Sequence, residues 1–266
     1  MKHIVCYSGG HSSALVAIEA VRKYGKDDVI LLNHNISAEV EHEDIKRFKQ
    51  EVADYLGIEI TYANMDGWEY LTPIGLSLKL GLFGIKPGQA LCTYNLKTKP
   101  FYKYLEEHCQ DKDNYTILYG FDADEENRIY RRRTNLRAMG YNAEFPLAEW
   151  DRTIYSTEEI GIKTPITYKI FKHANCIGCL KAGRQHWYVV YCLRRDIFDK
   201  AMQAEKQIGF SIIKDIFLED LIPICEDIKS KGICPNDKEN SQTFWARVNA
   251  TIPEQESFLP CDCSLF

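Results

Sequence analysis

The sequence predicts an α/β fold: a Rossmann-like parallel sheet with helices on both faces, followed by a mostly helical C-terminal lobe. Three observations predict it. Short apolar runs alternate with helix-spaced stretches through the first hundred residues. Glycines punctuate the helical stretches at Gly25 and Gly57, where a C-cap belongs. From about Thr157 onward, strand-length apolar runs give way to helical spacing.

The elements follow in order. Residues 2–7, centred on Ile4 and Val5, read as a buried first strand, and Ser8 to Ser13 as the loop after it. Leu15, Ile18 and Val21 give residues 14–24 helical spacing. Val29 to Leu32 is a second strand, 33–41 a polar loop, 43–56 a helix and 58–62 a third strand. Strand and helix alternating over short connections imply a parallel sheet with right-handed crossovers. Residues 64–90 hold five glycines and two prolines and read as a loop-rich insertion with a short helix. Residues 97–109 return to helical spacing, and Thr116 to Tyr119 is a fourth strand. Helices are expected at 157–171, 184–206 and 211–230, ahead of a tail containing proline and cysteine. The expected domains are an α/β domain over 1–155 and a helical, cysteine-containing lobe over 156–266.

Composition narrows the function classes. The chain has 266 residues, 45% of them hydrophobic, which suits a folded core rather than disorder. A net charge of -5 argues against a globally basic surface for nucleic acid and leaves a local patch open. No apolar run approaches the ~18 residues of a membrane span, and the N-terminus enters a glycine turn too early for a signal peptide. A cytoplasmic location without membrane association is expected. Ten cysteines in a reducing compartment point to buried, metal-bound or catalytic thiols rather than disulfides.

The loop Ser8-Gly9-Gly10-His11-Ser12-Ser13 carries the clearest chemistry. Glycines let backbone approach an anion closely, and amides at the positive end of the next helix can hold its oxygens. Serine hydroxyls add donors. Taken alone, the same string is equally a glycine turn with a serine cap.

The later segments tilt that balance. The loop resembles the Ser-Gly-Gly-x-Asp-Ser motif of the pyrophosphatase-loop enzymes (N-type ATP pyrophosphatases). Asn33-His34-Asn35, the run from Cys92 to Pro100 with Lys97 inside it, Gly120 to Glu125 followed by Arg131 to Arg133, and Pro146-Leu147-Ala148-Glu149-Trp150 are similar, in order, to segments of the phosphoadenosine phosphosulfate reductase family. The resemblance covers roughly residues 1 to 190. It implies an adenine nucleotide lying across the strand ends, with Asn33 and Asn35 facing it. Ser8, Gly9, Gly10, His11, Ser12 and Ser13 would hold phosphate or sulfate, Lys97 would neutralise it from the far side, and Arg131 and Arg132 would add a clamp. An arginine run is more often a solvated helix face. Ser12 stands where the family carries aspartate, which removes a carboxylate suited to Mg²⁺, and His11 at the variable position is expected to face solvent.

Cys176-Ile177-Gly178-Cys179 has the spacing of a metal or cluster edge, of a redox dithiol, or of coincidence. Iron–sulfur members of the resembled family pair a Cys-Cys in the lysine segment with a later Cys-x-x-Cys. Here Cys92, Cys176 and Cys179 remain, with Cys261 or Cys263 as fourth ligand. A [4Fe–4S] cluster is the expectation, zinc the rival, and no metal the third reading. The reductase cysteine segment Glu-Cys-Gly-x-His is absent, and Pro260-Cys261-Asp262-Cys263 is its only substitute. His173 and His186 read as packed or surface histidines rather than ligands.

Three functions follow. The first is a reductase-like enzyme in which Cys263 or Cys261 attacks a sulfonucleotide, assisted by Lys97, with a thioredoxin-like reductant as partner. The second is an ATP-using sulfurtransferase acting on tRNA or DNA. The third is a non-catalytic nucleotide-binding module.

Overall fold

A parallel strand covered on both faces needs apolar residues at consecutive positions. Lys2–Cys6 (β1) meets that need with Ile4 and Val5, both fully buried. The computed structural model describes residues 1–86, 89–173 and 176–250. In chain order its elements are α1 (His11–Tyr24), β2 (Val29–Asn33), α2 (Glu43–Leu56), β3 (Ile60–Tyr62), α3 (Pro73–Leu80), and a small hairpin of β4 (Ile85–Lys86) and β5 (Gln89–Ala90). One helical turn, α4 (Leu91–Thr93), passes through a π-helical turn at Tyr94–Thr98 into α5 (Lys99–His108). Then come β6 (Tyr115–Leu118), α6 (Glu126–Ala138), β7 (Asn142–Glu144) and α7 (Pro146–Glu149). The later helices are α8 (Arg184–Leu193), α9 (Arg195–Ile208), α10 (Leu218–Ser230) and α11 (Ser241–Asn249).

Five strands form one all-parallel sheet in the order β3-β2-β1-β6-β7. Successive side chains leave opposite faces of a strand, and the core divides accordingly. Val5, Leu31 and Leu118 join α1 and α2 residues such as Val16, Phe48 and Val52 in one cluster. Ile4, Leu32 and Ile117 join Phe101 and Leu105 of α5 and Leu136 of α6 in another. The expected fold class is therefore observed, with one strand more than the sequence suggested. Asn142–Glu144 carries little apolar signal, yet Ala143 pairs with Ile117 at the sheet edge.

The chain divides into two compact units, and not by a single cut near residue 155. The first comprises Met1–Asn35, His42–Glu69 and Asn95–Ile166; the second takes Ile36–Glu41, Tyr70–Tyr94 and the described residues from Thr167 onward. The second unit has its own apolar core, in which Trp187, Tyr188, Phe198 and Phe244 are the largest buried side chains. No helix among the described residues is long and apolar enough to cross a membrane.

Three expected helices are revised. Residues 157–171 are not one helix: the apolar spacing is real, but a capping box at Ser156 opens a 3-10 turn, Thr157–Ile160, that ends at Gly161 with φ +80. A second turn follows only at Ile166–Lys169, after Pro165. The 184–206 stretch breaks at Arg194 (φ -138, ψ 64) into α8 and α9. Between 211 and 217 the backbone turns instead of coiling, because the buried Glu205 carboxyl accepts from the amides of Ile212 and Leu218, each at 2.6 Å. The insertion at 64–90 contains α3 and the hairpin.

Another buried carboxyl fastens the segment after α7 to α1. Glu19, 3% exposed, accepts from Thr153 N at 2.5 Å, Thr153 Oγ1 at 2.9 Å and Ile154 N at 3.0 Å. Replacing it with alanine strands the buried Ile154 amide, at a cost of about 1–3 kcal/mol. Urea denaturation of Glu19→Ala should show a lower midpoint and an unfolding free energy reduced by about that amount. An unchanged midpoint would mean that other contacts hold the segment.

Candidate functional site

The strand order reverses direction at β1: β2 lies on one side and β6 on the other. In open parallel sheets the crevice at such a switch point, outside the carboxyl ends of the strands, is where ligands bind. The loop Ser8 to Ser13 leaves β1 at that position. Gly9 has φ +80, and a Cβ there would lie 2.6 Å from side-chain carbons of Lys49 on α2, so both conformation and space require glycine. Gly10 is the N-cap of α1 and makes no side-chain cap, and the first turn of α1 carries no acidic residue. The positive end of the helix therefore faces the crevice without an internal counter-charge.

The serines divide their work. Ser13 is buried; its hydroxyl donates to Gly10 O at 2.8 Å and accepts from Ser8 N at 3.2 Å, so it staples the loop closed. Ser8 Oγ joins the same staple through Ser13 Oγ and accepts from Gly10 N. Ser12 is half-buried, and the carbonyl end of its peptide meets the end of β6: a Cβ on Gly120 would sit 3.0 Å from Ser12 C and O and 3.1 Å from Ser13 N. The end of β6 and the start of α1 thus touch backbone to backbone beneath the loop.

His11, expected to face solvent, is instead engaged. Its Nε2 accepts from Thr157 N at 3.3 Å, and burial, reinforced by the nearby Arg152, pushes its pKa down. That same Arg152 is a site residue the sequence did not reveal. Its guanidinium lies 3.6 Å from Asp122, two residues after Gly120. Nothing in the motif string predicted it; its place follows from the 150–157 segment lying along α1.

On the β2 side, Asn33 ends the strand and Asn35 follows just beyond its carboxyl end. Asn33 donates to Tyr7 O, while its Oδ1 is buried with no hydrogen-bond partner. Asn35 exchanges hydrogen bonds with Asn64 and accepts from Lys46 Nζ. His34 Nδ1 donates to Ala63 O at 2.5 Å; burial takes its pKa down to about 4, opposed by the Ala63 bond and assisted by Lys97. Lys97 is exposed and sits in the π-helical turn, a local irregularity common at functional sites. Of the arginine run, Arg132 lies 5.1 Å over the Tyr119 ring at the end of β6. Arg131 is exposed and donates to Asn127 O, and Arg133 pairs with Glu149.

Two groups stand out among the described cysteines, apart from Cys192 and from Cys234, which is disulfide-bonded rather than the free thiol expected. Cys6, Cys109 and Cys225 are raised by burial to about 11, 11 and 12, which makes them inert packing thiols. Cys92, Cys176 and Cys179 all belong to the second unit, and Cys92 and Cys176 border its core. Among the described residues, however, no three histidine, cysteine or acidic side chains gather closely enough to hold a metal ion. Of the expected ligands, Cys261 and Cys263 lie outside the described residues. His186 is not a spare ligand either. Its Nε2 accepts from Cys179 N at 3.2 Å and its Nδ1 donates to Asp237 at 2.8 Å, so it braces the Cys-x-x-Cys turn.

Fold and site together define a parallel α/β protein with a glycine–serine loop at the sheet's switch point. The chain is similar to the uncharacterized nin region protein ORF290 of Escherichia phage lambda, 28% identical over 214 residues, covering 70% of this chain and 68% of that protein. No protein-family profile matches it.

Two outcomes test this geometry. Gly120→Ala forces the Ser12–Ser13 backbone to shift, and should lower the thermal midpoint and weaken any anion bound at the loop; an unchanged midpoint would show that the strand ends can separate freely. The histidines give a pH signature. His34 stays neutral in the folded chain down to about 4 against an ordinary 6.5. Between those values the unfolded chain binds the extra proton, so stability falls as pH drops through that window. His3 and His11 are lowered as well and add to the slope. His34→Gln should flatten part of the decline in urea midpoints, and NMR should show the His34 ring neutral at pH 5.

Proposed function

We propose that this chain is an adenine-nucleotide enzyme of the sulfonucleotide reductase type. The observation that carries the reading is the glycine–serine loop at the switch point, closed from below by Gly120, with the helix end left open to an anion. Lys97 on the β2 side supplies positive charge. The order of the motifs along the chain supports adenosine as the group attached to that anion.

In this reading the nucleotide's phosphate rests against the loop and first-turn amides, and its sulfuryl group projects outward. A thiolate of Cys261 or Cys263 attacks the sulfuryl sulfur. The bond from sulfur to the bridging oxygen breaks, the electron pair leaves with the nucleotide phosphate, and a cysteine S-sulfonate forms. A dithiol of the thioredoxin class then attacks the cysteine sulfur and expels sulfite. The dithiol becomes a disulfide and the cysteine is restored. The buried thiols of the first unit, Cys6 and Cys109, are unsuited to the first step because burial keeps them protonated. No step passes through a metal or cluster.

The test is calorimetric titration of the full chain with adenosine phosphosulfate, its 3′-phosphorylated form and ATP, followed by sulfite release in the presence of a dithiol. The expected result is binding of a sulfonucleotide and sulfite production that is lost in the Cys261→Ser, Cys263→Ser double variant while binding persists. ATP cleavage to AMP and pyrophosphate would replace this reading with adenylating sulfur transfer to a nucleic acid. Binding without turnover would make the chain a nucleotide-binding module.

A further inference from the structure

We propose that Arg152 is a second cation of the phosphate site, one that grips the outermost anionic group of the bound nucleotide from the β6 side. The proposal rests on the adenine-nucleotide reading above and adds a residue that no motif assigns.

The path of the chain puts Arg152 there. Trp150 packs edge-on against Tyr24 near the C-terminal end of α1, with Lys23 over its ring at 3.7 Å. Thr153 and Ile154 are fastened to Glu19 in the middle of α1, and Arg22 donates to Thr153 O at 3.0 Å. Thr157 reaches His11 at the start of α1. Residues 150–157 therefore run along α1 toward the phosphate loop, pinned at three levels. Within that strap the Arg152 side chain extends to Asp122, just past the Gly120 that underlies the loop.

Its present contacts do not account for it. The Asp122 oxygen at 3.6 Å is beyond hydrogen-bond range. The Tyr155 ring lies 4.9 Å away and offers no acceptor oxygen in its face. The side chain is only 21% exposed, and its Nε is buried with no hydrogen-bond partner. A guanidinium has five donors arranged as a fork that matches two oxygens of a phosphoryl or sulfuryl group. A buried donor left unmade is costly, so a tetrahedral oxyanion at the loop mouth, presenting two oxygens to the fork, satisfies what Asp122 does not. Asp122 is itself committed elsewhere, since its carboxyl accepts from the backbone of Glu125 in a capping box. It steadies the guanidinium without saturating it. His11, held neutral beside it, does not compete for the anion.

The experiment measures affinities of ATP and AMP for the wild-type chain, Arg152→Gln and Arg152→Lys by calorimetry, with thermal midpoints as the folding control. Wild type should prefer ATP. Arg152→Gln should weaken ATP about tenfold to a hundredfold, the range of a charge-assisted pair, and change AMP less than about threefold. Arg152→Lys keeps the charge without the fork and should fall between. It also serves as the reading if the glutamine variant does not fold. Equal ATP affinity in wild type and variants, or equal losses for ATP and AMP in a folded variant, would overturn the role of Arg152. Failure of wild type to bind ATP would overturn this role of Arg152, and failure to bind adenosine phosphosulfate as well would overturn the nucleotide reading itself.

Discussion

The structure of the first unit turns on a contact between two pieces of backbone. Gly120, at the end of β6, lies against the Ser12–Ser13 peptide at the start of α1 with no room for a methyl group. That approach fixes the height of the helix end relative to the sheet and so sets where the amides of the loop point. It also fixes Asp122, and through it Arg152, beside the loop. The serine staple from Ser13 to Ser8 and Gly10 then has only to close a loop whose two ends are already positioned.

This contact is possible because β1 is central. Flanked by β2 and β6 and covered on both faces, it has no freedom to slide without moving Ile4 or Val5 out of its cluster. The two clusters anchor α1 and α2 on one face and α5 and α6 on the other. Anchoring through apolar burial is what lets a loop of small, polar residues hold one shape. The polar fastenings on α1 are arranged to the same end, since Glu19 and His11 bind the 150–157 strap at separate levels and bring a cation to the crevice rather than leaving it in solvent.

Much of this was legible from residue order, and what was not legible shares a cause. β1, α1, β2 and α2 follow directly from apolar spacing and terminal glycines, because those signals are local. β7 escaped because Asn-Ala-Glu carries no pattern of its own; its pairing with β6 makes it a strand. The helix expected over 157–171 failed for the converse reason. Its isoleucines are spaced for a helix, but Gly161, Pro165 and the Ser156 capping box decide the backbone. The assignment of 36–41 and 70–94 to the second unit is equally invisible to local pattern. At the site, the loop and Lys97 were readable as motifs. The engagement of His11 and the place of Arg152 depend on a contact 146 residues apart in the chain, between Thr157 and His11.

On the proposed reading, a serine at position 12, where the resembled family carries aspartate, has a physical meaning. A carboxylate at that position would sit on the peptide that Gly120 supports, and would face the anion unless a divalent cation stood between them. A hydroxyl imposes no such requirement. On the proposed reading, charge balance falls to Lys97, near His34 after β2, and to Arg152, beside Asp122 after β6, with the helix end behind them. On the proposed reading, the ligand is an anion whose charge is met by protein cations.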